Sequence, residues 1–101
     1  MTCAEIFYIV LIDYYNYLER DMHELGVLRQ VVKTVSRVAE QNNISRIKHV
    51  TLEVGETSGF VPRYLTRLFP AAADGCPRLQ GTELQIVMVS GSSLIIKEIG
   101  Y

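Results

Sequence analysis

The feature that most constrains the fold is an amphipathic stripe in the first half of the chain. Its apolar members recur at steps of three and four and are Leu25, Leu28, Val32, Val35 and Val38 or Ala39. This spacing predicts a helix with one apolar face, which must be buried against another element. Residues 41–43 (QNN) predict the end of this helix, because Asn tolerates the left-handed conformation that helix ends use.

The next segments predict a strand and a second helix. Val50, Leu52 and Val54 alternate with polar residues, which is the period of a half-buried strand. Pro62 suits the first turn of the second helix, and Pro70 is expected to end or kink it, because proline offers no N–H. The buried face of this helix would comprise Tyr64, Leu65, Leu68 and Phe69.

The last part of the chain predicts two more strands, at residues 82–89 and 93–99. Only the short Ser/Gly segment 90–92 separates them, and this favours a hairpin in which the two strands pair directly. Together these elements predict an α+β fold, with a small three-stranded mixed sheet covered on one face by two helices.

Composition and charge exclude several classes of protein. The net charge of -1 gives no general attraction to nucleic acid or to an anionic membrane surface. Cys3 and Cys76 are too few for a disulfide framework. Residues 6–12 (IFYIVLI) are too short to span a membrane, and no Lys or Arg precedes them as in a signal peptide. We therefore expect a cytoplasmic protein with no nucleic-acid or membrane partner.

Three ordered motifs resemble the HypA/HybF family of hydrogenase-maturation proteins. They are residues 22–25 (MHEL) at the start of the amphipathic helix, residues 52–59 (LEVGETSG) from the end of the first predicted strand into the following loop, and residues 81–84 (GTEL) at the next strand. A helix that begins with proline lies between the last two motifs, as it does in the family. The resemblance covers residues 22–101.

This resemblance implies a nickel metallochaperone for the maturation of nickel-iron hydrogenase, and not an enzyme. Carried over by position, Met22, His23 and Glu24 are the implied nickel-binding residues, with Met22 contributing backbone nitrogen. An imidazole, an amine and backbone amides form a nitrogen-rich set that suits tetragonal Ni(II). The implied partners are a HypB-like GTPase and the hydrogenase large subunit, with urease as an alternative target.

The chain departs from the family pattern in two places. The family carries a zinc module with two Cys-x-x-Cys pairs between its last two strands, whereas here a tight turn at residues 90–92 takes its place. Structural zinc is therefore not expected. The other departure is an extension of residues 1–21 before the nickel-binding domain of residues 22–101. If translation starts at Met22, the motif regains a free amine.

Several alternatives to these interpretations stay open. The extension can be an aggregation-prone segment, an added edge strand, or a contact between two copies in a homodimer. The main alternative function is a metal-independent interaction module that binds a hydrogenase subunit or a maturation factor. Two other residues with metal-binding or reactive side chains have simpler interpretations. His49 is expected to be solvated on the polar strand face, and Cys76 to be an ordinary loop residue.

Overall fold

The computed structural model describes residues 4–10 and 24–101, which form an α+β fold with helices on one face of a sheet. The elements in chain order are β1 (Ala4–Val10), α1 (Glu24–Gln41), β2 (His49–Gly55), α2 (Pro62–Ala72), a 3-10 helix (Pro77–Leu79), β3 (Glu83–Val89) and β4 (Leu94–Gly100). The strand order in the sheet is β1-β4-β2-β3. The predicted fold class is confirmed.

The three predicted strands form the mixed sheet, with β2 in the middle. β2 pairs in parallel with β3 over seven residues without a register shift. It pairs antiparallel with β4, where a register shift follows Thr51. The extension adds a fourth strand, because β1 pairs antiparallel with the outer edge of β4. Of the three alternatives for the extension, an edge strand is therefore the one present in the structure.

The predicted hairpin of the last two strands is wrong, because β2 lies between β3 and β4. The connecting residues 90–93 instead cross the end of β2. The Gly55 N–H donates to the Ser93 carbonyl at 2.7 Å, and the Thr57 N–H donates to the Gly91 carbonyl at 2.9 Å. A short connection usually joins neighbouring strands. Here the four residues of the connection are enough to cross β2, because N–H groups at the end of β2 donate hydrogen bonds to the carbonyls of the connection.

The helices and the sheet enclose one hydrophobic core. Val50, Leu52 and Val54 are fully buried, as the alternation in β2 predicts. The buried stripe of α1 is wider than predicted, since Val27 and Val31 are fully buried as well. The reason is that α1 packs against α2 and against the 3-10 helix while it also faces the sheet.

The ends of the helices follow from particular residues. Asn43 adopts a positive φ of 58° just beyond α1, as the QNN segment predicts. Pro62 occupies the first turn of α2. Pro70 was expected to end or kink α2, and the helix continues two residues beyond it, to Ala72. A proline in the last turn removes one N–H, and the Ala73 N–H still closes the turn on the Phe69 carbonyl at 2.9 Å.

Candidate metal site at the start of the first helix

The three predicted metal-binding residues are consecutive in sequence at the start of α1. Met22 and His23 lie outside the described residues, whereas Glu24 is the first residue of α1. The first N–H groups of a helix have no acceptor inside that helix, so they are free to bind other groups. The Glu24 main chain is therefore at a position where its nitrogen does not contribute to the helical hydrogen bonds.

The side chain of Glu24 joins the starts of the two helices. One carboxylate oxygen, Oε2, accepts a hydrogen bond from the Val61 N–H at 3.0 Å. Val61 is the N-cap residue of α2, and its own side chain supplies no capping bond. Glu24 thus satisfies the N–H group of an N-cap residue that lies 37 residues further along the chain.

Two contacts show that α1 and α2 run in the same direction. Glu24 at the start of α1 contacts Val61 at the start of α2, and Ser36 near the end of α1 contacts Cys76 beyond the end of α2. The positive ends of both helix dipoles therefore meet near the Glu24 carboxylate. A negative charge is stabilised at this position.

The loop of residues 55–59 lies beside the start of α2. Ser58 Oγ accepts a hydrogen bond from the Phe60 N–H at 3.2 Å, one residue before Val61. Ser58 thus satisfies the N–H group just before Val61, and Glu24 satisfies that of Val61 itself. The contribution of Glu24 was not predicted, because no local pattern connects it with α2.

Apolar side chains are exposed on the first turn of α2. Val61 is 36% exposed and Tyr64 is 42% exposed. The Arg63 guanidinium lies 5.9 Å from the centre of the Tyr64 ring, a cation–π distance. Tyr64 was predicted to be buried, and this is wrong, because the first turn of α2 lies at the periphery of the core. The candidate site therefore adjoins a surface that is both apolar and basic.

His49 and Cys76 do not form a second metal site. His49 lies on the sheet face opposite the helices, where its Nε2 is 3.6 Å from Glu98 Oε1 and its ring covers Gly100. Its side chain is half-buried, with 23% exposed, on the polar strand face where the sequence predicted it. The Cys76 Sγ contacts the Ser36 Oγ at 2.9 Å and is half-buried. Residues 24–101 contain no group of three or more His, Cys, Asp or Glu side chains that could hold a metal ion.

A shallow cavity lies at the opposite end of α1 from Glu24. Its volume is about 460 Å³, and it is lined by Asn43, Ile44, Ser45, Pro77 and Arg78. The guanidinium of Arg78 is held there, because it donates to the Ile44 carbonyl. This cavity contains no acid, histidine or thiol among its lining residues, so it does not compete with the start of α1 as a metal site.

The fold and this site define a small α+β domain with candidate metal ligands immediately before its first helix. Its sequence matches, over residues 22–94, the family described as hydrogenase/urease nickel incorporation, metallochaperone, hypA. The chain therefore belongs to the HypA family.

Individual relatives agree with this assignment. The hydrogenase maturation factor HypA of Trichodesmium erythraeum is 39% identical over 70 residues, which are 69% of this chain and 58% of that protein. The corresponding factor of Deinococcus radiodurans is 34% identical over 70 residues, with the same two coverages. The chain thus spans 58% of the length of each of these relatives.

A solved structure shares the fold. The solution structure of the Ni metallochaperone HypA from Helicobacter pylori matches with a TM-score of 0.63 at 20% sequence identity. The match covers 74% of this chain and 70% of that one. None of the helices among the described residues combines the length and hydrophobicity that crossing a membrane requires.

Proposed function

We propose that this protein binds Ni(II) at Met22, His23 and Glu24 and passes it on during the maturation of nickel-iron hydrogenase. The observation that supports this proposal is the MHEL motif of the sequence, whose Glu24 is the first residue of α1, in a chain of the HypA family. The proposal treats nickel as cargo, so the site must both bind the ion and release it. It describes a carrier and not a catalyst.

The hydrogen bond of Glu24 indicates which atom each of the three residues contributes to nickel binding. Because its carboxylate is engaged by the Val61 N–H, Glu24 offers its main-chain nitrogen to the metal. That nitrogen can lose its proton without breaking a helical hydrogen bond, since it belongs to the first turn. His23 supplies the imidazole and Met22 a further backbone nitrogen. Such a nitrogen set suits the square-planar geometry that Ni(II) adopts.

The position of the site favours transfer within a protein complex. The start of α1 adjoins the exposed side chains of Val61 and Tyr64, and this surface offers a partner protein both apolar and basic contacts. By family membership, the proposed partners are a HypB-like GTPase and the hydrogenase large subunit, acting in the cytoplasm. Structural zinc is not part of this proposal, because the chain contains only two cysteines, Cys3 and Cys76.

A second candidate function is a metal-independent interaction module. It is favoured by the 21 residues that precede Met22, since a chain translated from Met1 has no free amine there. Such a module would still bind a hydrogenase subunit or a maturation factor.

Hydrogenase activity in a bacterium that lacks its own HypA distinguishes the two functions. We expect the full chain to restore activity when nickel is limiting, the His23→Ala variant to lose it, and the His49→Ala variant to keep it. His49 is the matched control, because it is the second histidine of the chain and lies on the far face of the sheet. Equal restoration by the His23→Ala variant would contradict nickel carriage and support the interaction module.

A further inference from the structure

The outer edge of β3 has no partner strand among residues 4–10 and 24–101. The Glu83 N–H bonds to the Lys48 carbonyl at 2.9 Å, and the Val89 carbonyl accepts from the Glu56 N–H at 2.8 Å. Both residues therefore direct their peptide groups toward β2. Because this direction alternates along a strand, the N–H and C=O groups of the even-numbered residues Leu84, Ile86 and Met88 point outward.

This edge lacks the features that normally prevent pairing with another chain. Edge strands are usually protected by a lysine, a proline, a bulge or a very short length. β3 has seven residues, ELQIVMV, and pairs with β2 without any irregularity. β1, at the other edge of the sheet, has a register shift between Ile6 and Ile9. β3 is thus the regular and unprotected edge.

β3 carries more apolar side chains than it buries in the hydrophobic core. Leu84 and Ile86 are half-buried at the rim of the core, whereas Val87 is 44% exposed and Met88 is 43% exposed. Two of the four exposed large hydrophobic side chains among the described residues therefore lie on this one strand. Its only charged side chain is that of Glu83, at the start of the strand.

The sequence of β3 is complementary to itself in one antiparallel register. If two copies pair about Ile86, Ile86 faces its own counterpart and Leu84 faces Met88 of the other copy. All three of these residues direct their peptide groups outward, so each facing pair can exchange two N–H···O bonds. Their side chains share one face of the sheet and form a continuous apolar row across the two-fold axis.

The charges also permit this register. Glu83 would face Val89 of the other copy, so the two Glu83 carboxylates would lie about 20 Å apart along the strands, beyond the screening length of about 8 Å at physiological salt. No like charges face each other. The partner that this edge fits is therefore a second copy of the same strand.

We propose that the protein forms a two-fold symmetric dimer in which the β3 strands pair antiparallel about Ile86, giving one continuous sheet of eight strands. An edge contact of this length is at the small end of interface sizes, below about 1,200 Å². The dimer is therefore reversible and forms in proportion to protein concentration. It does not require nickel, so its test is independent of the proposed function.

Sedimentation equilibrium of the full chain over a range of concentrations, without metal, tests the dimer. The Met88→Lys variant should dimerise roughly tenfold less tightly or worse, because it places two ammonium groups opposite Leu84 side chains in the pairing edge. The control is Tyr64→Lys, which adds the same charge at a side chain of nearly the same exposure on α2. This variant should dimerise as the unchanged chain does.

Amide hydrogen exchange of the unchanged chain provides a second readout. The N–H groups of Leu84, Ile86 and Met88 should gain protection as concentration rises, whereas those of Gln85 and Val87, already directed toward β2, should not change. A chain that stays monomeric at every concentration would overturn the proposal. So would a dimer that the Met88→Lys variant forms equally well, or concentration-dependent protection that appears elsewhere and not at these three amides.

Discussion

A single carboxylate connects the candidate metal site with the second helix. Glu24 lies in the first turn of α1, and its Oε2 accepts from the N–H that begins α2. The family resemblance implies a metal-binding role for Glu24. The structure supplies a second function, since the same side chain caps a different helix. This contact spans 37 residues and cannot be inferred from local sequence.

Replacing this carboxylate should therefore cost stability as well as affect the site. We expect the Glu24→Ala variant to lower the free energy of unfolding by about 0.5–2 kcal/mol, because it removes the only capping group of Val61 that the structure shows. Urea unfolding followed by circular dichroism measures this change.

The matched control is Glu40→Ala at the other end of α1. Glu40 is exposed in the last turns of the helix, where a negative charge opposes the helix dipole. Its removal should leave the free energy of unfolding within about 0.5 kcal/mol of the unchanged chain. Equal losses in the two variants would show that Glu24 contributes only a surface charge and not a capping bond.

Among the elements, the connection between β3 and β4 is the one that was predicted wrongly, as a hairpin turn. A Ser/Gly segment of this length is typical of a hairpin, and nothing in its own residues indicates that it crosses another strand. The crossing depends on Gly55, at the end of β2. A Cβ atom at Gly55 would overlap the Gly91 carbonyl, so only glycine lets the connection approach so closely.

A side chain at this crossing should disrupt the connection. We expect the Gly55→Ala variant to lower the free energy of unfolding by about 1–3 kcal/mol, because the Gly91 backbone must move to make room. Thermal and urea unfolding of the full chain measure the effect. The neighbouring variant Glu56→Ala, at an exposed side chain, should change it little. An unaffected Gly55→Ala variant would mean that the connection does not lie against the end of β2.

At the scale of the whole molecule, the order and type of the two helices and three strands in residues 24–101 were predictable, whereas the short 3-10 helix and the neighbours of each strand in the sheet were not. The periodicity of Val50, Leu52 and Val54 correctly gave the buried face of β2, because burial on one face imposes period two. Which strand edges meet depends on contacts between distant segments. The central position of β2, the burial of Val27 and Val31, and the Glu24–Val61 bond all depend on such contacts.

The candidate site was predictable only through the family motif. A lone histidine before a helix carries little information, and His23 lies outside the described residues. The MHEL, LEVGETSG and GTEL motifs in one order supplied the family, which the match over residues 22–94 confirms. The assignment of Met22, His23 and Glu24 as ligands stays a prediction.

The most direct test of nickel carriage is a calorimetric titration of Ni(II) into two chains, one starting at Met1 and one at Met22. Each is compared with its His23→Ala variant, and circular dichroism verifies that the shorter chain folds without β1. We expect both chains to lose nickel affinity when His23 is replaced. The chain starting at Met22 should bind more tightly, because its free amine completes the nitrogen set. Nickel binding that is absent from both chains, or that is unchanged by His23→Ala, would contradict the proposed site.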